Sequence, residues 1–256
     1  MNKILQTLSN NSLSVRIATF TMAIMFLLAT VITPQLSYAT ATVSTTKTCT
    51  AIQKFGQNVI KDKTAKKAEM QKQFSNVVTN IRKKWASEDK SLINKHASMD
   101  RSLTSNTGNL KKHWSAARQP AVATYTKAMF DALHTYENVT AALQATYHED
   151  MLALIKSHQA TLLQLVDAHI TTVTNAVGTA QTNCGLGTAK ATLASAVNAA
   201  SQKYNMDVHG QDGVYKQGRK SIKQTYVTGI RAAKATYKSK TRDAKTALKN
   251  AIKNTR

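Results

Sequence analysis

Lys223, Arg231, Lys234, Lys238, Arg242, Lys245, Lys249 and Lys253 fall near the end of the chain, three, four or eight places apart. Seven of them directly follow Ile222, Ile230, Ala233, Tyr237, Ala244, Leu248 or Ile252, and Arg242 follows Thr241 at the same step. Tyr226 continues the apolar series but is followed by Val227, the one gap in the row. One residue is about 100° of rotation on an α-helix. The cations therefore line one flank of an apolar seam, and their methylene stems can cover its edge. The chemistry of such a row is electrostatic rather than covalent. Like charges about 5 to 6 Å apart repel, and a polyanion laid along them would bridge the row and release counterions. An acidic helix of another protein could do the same. A lysine-rich solvated helix is the plainer alternative, since the Debye length is about 8 Å in physiological salt.

Few other residues have the type and spacing for chemistry. His158 and His169 share a helical face but lie three turns apart, too far to chelate one ion. His148-Glu149-Asp150 has only the first two letters of HExxH and lacks the second histidine. Asn205, Asp207, His209, Gly210 and Asp212 partly trace a calcium loop, but Lys216 stands where a bidentate glutamate is required. No phosphate loop, nucleophile elbow or carboxylate pair is visible. No C2H2 or RNP-type motif is visible either. The sequon Asn138-Val139-Thr140 falls in a helical stretch. The expectation is a non-enzymatic protein with no metal and no cofactor.

Cys49 and Cys184 are the two cysteines, with no C-x-x-C and no metal-type spacing. In an exported protein a pair like this joins. The expected bridge is intramolecular, the alternatives being free thiols or a bond between chains. Export is suggested by residues 17–33, IATFTMAIMFLLATVIT, which carry no charge and follow Lys3 and Arg16. Pro34 closes the stretch, and Ser37-Tyr38-Ala39 or Ala39-Thr40-Ala41 offers small residues for a signal peptidase. The segment is either a cleaved signal within residues 1–39 or an uncleaved anchor. The remainder is then secreted or extracytoplasmic, behind a short linker at 40–48.

The elements that position these residues are helices. The chain of 256 residues has nine glycines and two prolines, a composition that favours long helices over sheet. Tyr125, Tyr136, Tyr147, His158 and His169 are eleven apart, as are Val122, Leu133, Gln144, Ile155, Val166 and Val177. Eleven residues make about three turns, so the stripe stays almost parallel to the helix axis. Met70, Ile81, Leu92 and Leu103 repeat the spacing, and so do Tyr204, Tyr215, Tyr226, Tyr237 and Leu248. This phase puts the tyrosines in a packed seam rather than on a base-stacking platform.

Breaks are expected at Thr104–Asn109 (TSNTGN), near Pro120, at Asn183–Gly187 (NCGLG) and at His209–Gly213 (HGQDG). A single antiparallel fold-back with equal arms that brings the two cysteines together turns near residue 117, the alternative being one very long rod through residue 120 with the cysteines joining different chains. The predicted fold is all-α: an elongated hairpin or coiled-coil bundle over 49–184 with its apex near 104–120. Residues 185–256 should add two further helices, the last strongly basic.

Charge follows this division. Residues 47–118 hold 16 basic and 5 acidic side chains, residues 119–215 hold 4 and 7, and residues 216–256 hold 13 and 1. Within a total of +22, two basic blocks flank a near-neutral centre, which attracts nucleic acid, anionic cell-wall polymer or an acidic membrane surface. Two readings of function follow. One is attachment to an anionic polymer through the basic row. The other is a structural coiled-coil spacer, surface fibre or self-associating assembly subunit. A membrane-active helical effector is a third, weaker class.

Overall fold

The computed structural model describes residues 45–254. The apolar stretch at 17–33 and the cleavage positions lie outside the described residues. Three α-helices account for most of the rest: α1 (Thr45–His113), α2 (Gln119–Thr182) and α3 (Ala189–Asn254), with a short 3-10 turn at Ala116–Arg118 before α2. No strand occurs among the described residues. No described helix is long and apolar enough to cross a membrane.

Threonine is frequent here although it is a mediocre helix former. Its hydroxyls have turned inward to the helix backbone. Thr50, Thr64, Thr126, Thr161, Thr172 and Thr174 each donate from Oγ1 to the carbonyl four residues earlier, at 2.8–3.0 Å. That bond is one a helical rotamer of threonine permits.

Two expected breaks are helical instead. TSNTGN lies inside α1, which runs on to His113. Leu103 and Leu110 are half-buried on either side of it, and Thr107 between them is only 4% exposed. The Thr107 hydroxyl donates to the Leu103 carbonyl at 2.9 Å. The seam thus steps 103, 107, 110 through residues whose local preference is for a turn, and packing overrides that preference. HGQDG likewise lies inside α3, so residues 189–254 form one helix and not two. Tyr204, Val208, Asp212 and Tyr215 carry the buried seam across the segment. Gly210 and Gly213 face solvent, where a side chain would meet nothing within 4 Å. Residues 45–48 of the expected linker at 40–48 belong to α1, and the rest lies outside the described residues.

The other two breaks are connections. Between α1 and α2 the Gln119 amide donates to the carbonyls of Lys111 (2.8 Å) and Trp114 (2.9 Å), which caps the end of α1. The Arg118 guanidinium lies over the Trp114 ring, 5.3 Å from its centroid. Pro120 falls in the first turn of α2, where a missing N–H costs nothing. Between α2 and α3, the Leu186 amide donates to the Asn183 carbonyl (2.8 Å) and the Ala189 amide to the Leu186 carbonyl (3.1 Å).

The described chain divides into two compact units, 45–79 with 156–215 and 80–155 with 216–254. In the first unit, Ile52 of α1, Val173, Val177 and Ala180 of α2, and Ala189, Leu193, Val197 and Ala200 of α3 form one buried cluster. Met70, Phe74, Leu162, Val166, Tyr204 and Val208 form another. Cys49 and Cys184 are joined, with Cα atoms 5.0 Å apart. On α2 and α3, His169 meets Tyr204 with ring centroids 5.2 Å apart, and His158 stacks on Tyr215 at 4.3 Å. Both partners step by eleven in opposite directions, so these helices are antiparallel. Gly56 lets α1 approach α2 closely, since a Cβ there would overlap the Val177 side chain.

In the second unit, Ile81, Val122, Met129, Leu133, Met151 and Ile155 are buried. The ring pairs are Tyr147 with Tyr226 (4.9 Å) and Tyr136 with Tyr237 (5.3 Å), again eleven apart on each helix. Gly229 sits under Leu143, whose Cδ2 would be 2.7 Å from an added Cβ. Gln144, a polar member of the eleven-residue series, is buried and donates to Asp89 Oδ1 at 2.6 Å.

Candidate functional site

The eight predicted cations all lie on α3 within the second unit. Lys223, Arg231, Lys238, Arg242, Lys245, Lys249 and Lys253 are exposed, and Lys234 is half-buried. The apolar residues just before them are Ile222, Ile230, Ala233, Tyr237, Leu248 and Ile252, all half-buried, and Ala244, fully buried. Residues three and four apart share a helix face, so the run from Arg231 to Lys253 forms one strip. Arg242 lies 3.7 Å from Asp243, and no other member of the row has an acidic partner within ion-pair distance among the described residues. Nothing in the strip is enclosed. It presents open positive charge, which suits a long anion better than a small substrate.

The tyrosines beside the row are engaged by other rings. Tyr226 and Tyr237 face Tyr147 and Tyr136 across α2. Burial raises the pKa of all four above the ordinary tyrosine value. Tyr204, packed on His169, is pushed up to about 12 by burial alone.

Two clusters of titratable groups were not anticipated from the sequence. His148 stacks on Trp85 (centroids 4.6 Å apart) between two carboxylates, with Nε2 3.5 Å from Glu88 Oε2 and Nδ1 3.4 Å from Asp89 Oδ1. The hydrogen bond with His148 is the main influence holding the Glu88 carboxyl below its usual range. These groups satisfy one another.

The second cluster is Asp100 of α1 with His134 and Glu137 of α2, whose donor atoms all lie within 4.8 Å of one another. His134 Nε2 is 3.2 Å from Asp100 Oδ1. Glu137 is buried, and its Oε1 has no hydrogen-bond partner. Burial, and then the Asp100 charge, push the Glu137 pKa upward. The sequence held part of this signal, because His134-Thr135-Tyr136-Glu137 puts an imidazole and a carboxylate one turn apart. Asp100 is brought in only by the packing of α1 on α2.

The disulfide fits an oxidising, extracytoplasmic setting. No protein-family model matches the chain, and neither a curated protein nor a solved structure is significantly similar to it.

Proposed function

We propose that the protein is a non-enzymatic, exported helical protein that attaches to an anionic polymer, nucleic acid or cell-wall polymer, through the basic flank of α3. The observation that carries this reading is the strip from Arg231 to Lys253, exposed except for the half-buried Lys234 and, apart from Arg242, without an acidic partner among the described residues. Half-buried apolar residues hold the helix in place from the other side. A polymer that bridges the strip relieves its self-repulsion, and counterion release drives the association. The strongly basic final block supplies the long-range attraction.

The test is binding of the full-length chain to duplex DNA and to an anionic wall polymer over a range of salt. On DNA, log K should fall with log salt, and each contacting cation replaced by glutamine should reduce the slope by about 0.9. Lys238→Gln, Lys245→Gln and Lys249→Gln together should therefore flatten it by about 2.7. Affinity indifferent to salt, or to these three changes, would sink the reading.

A structural spacer or assembly subunit is the second reading. Its support is the buried series Val122, Leu133, Gln144, Ile155, Val166 and Val177, which keeps the eleven-residue step along α2. Sedimentation separates the two: a monomer at working concentration favours polymer attachment, and a defined multimer favours assembly.

A further inference from the structure

We propose that Asp100, His134 and Glu137 bind a divalent transition-metal ion of the zinc class. The site does not involve the α3 strip and does not depend on the polymer-binding reading. Three features carry it. The donor set is one imidazole nitrogen and two carboxylates, which suits zinc and its first-row neighbours. Two of the ligands, His134 and Glu137, stand one turn apart on a single helix, and Asp100 faces them from α1. Glu137 is 9% exposed and carries an oxygen with no hydrogen-bond partner, although a carboxylate oxygen of this residue lies among the other donors. A buried carboxylate left in that condition is unfavourable, and it lies beside a second acid. A dication answers both problems at once.

The dimensions fit with modest movement. Bonds of about 2.0–2.2 Å in a tetrahedral site place the donors about 3.3–3.6 Å apart. His134 Nε2 and Asp100 Oδ1 are already 3.2 Å apart. The remaining separations, at most 4.8 Å, close by small rotations of the Asp100 and His134 side chains, which are half-buried and exposed respectively. On binding, the metal takes the place of the hydrogen between Nε2 and Oδ1, and the neutral ring then carries its one proton on Nδ1. Three protein ligands leave a fourth position for water or an external donor.

The experiment titrates the metal-stripped full-length chain with Zn2+ by calorimetry, then with Co2+ as an optical probe. One equivalent should bind, with visible Co2+ absorption bands. His134→Ala and Glu137→Gln should each weaken binding by at least about tenfold and abolish the bands. His113→Ala with His209→Ala, which removes two other exposed imidazoles, should leave both signals intact. His134 is a surface residue, so its loss is not expected to unfold the chain. No uptake of Zn2+, or uptake that survives His134→Ala and is lost with His113 and His209, overturns the proposal.

Discussion

Two glycines of opposite surroundings show how single residues are used. At Gly56 the missing side chain is a packing requirement, because a Cβ would overlap Val177 of the neighbouring helix. At Gly210 the same absence serves no contact, since nothing lies within 4 Å. Alanine is the better helix former by up to about 1 kcal/mol, so the two positions should respond in opposite directions. Gly56→Ala is expected to destabilise by about 1–3 kcal/mol through overpacking. Gly210→Ala is expected to stabilise by about 0.5–1 kcal/mol. Denaturant midpoints of the two variants check this, and a stabilised Gly56→Ala would mean that α1 and α2 are not in contact there.

Helix pairing supplies the pH dependence. His158 is packed on Tyr215, and His169 on Tyr204, between α2 and α3. Burial lowers both histidine pKa values from 6.5, against the opposing pull of Asp212 on His158 and with the help of Lys63 on His169. His96, beside Lys95 and Asp100, is lowered by burial as well. A histidine whose folded pKa is depressed takes up a proton more readily in the unfolded chain. Its stabilising contribution is complete above pH 6.5 and is lost as the pH falls towards the folded value. Glu137, with its raised pKa, works the other way in a window above pH 4.5. Three histidines act against one carboxyl, so the melting temperature is expected to drop as the pH falls from 7.5 to 5.5. His158→Phe and His169→Phe should each shrink that drop. A melting temperature flat across this interval would contradict the burial of both rings.

At the scale of the whole molecule the disulfide is a long-range constraint. It joins residues 135 apart in sequence and so restricts most of the unfolded hairpin. In the chain-entropy model a loop of this size is worth up to about 5 kcal/mol. Cys49→Ser with Cys184→Ser should therefore move the denaturant midpoint well below that of the oxidised chain, and dithiothreitol should reproduce the shift. The same bond suits a protein that works where thiols oxidise. The proposed polymer attachment also belongs to this scale, because the α3 strip would act as a row and not as a pocket. The loss of one lysine should weaken it slightly, and the loss of several should weaken it in proportion.

Spacing alone determined that the chain is helical, that Val122, Leu133, Ile155, Val166 and Val177 face inward, and that a fold-back joining the cysteines turns near residue 117. It also determined the order of the basic row, because one helix carries all of it and a helix face is a local property. Local signals failed at Thr104–Asn109 and His209–Gly213. Turn-forming residues there are held helical by the buried neighbours Thr107, Val208 and Asp212. Only the tertiary structure decided which rings pair, which glycines are needed for close approach, and that Asp100 meets His134 and Glu137. Those facts depend on the register between helices, which is set by packing between residues far apart in the chain and leaves no mark in any short stretch of sequence.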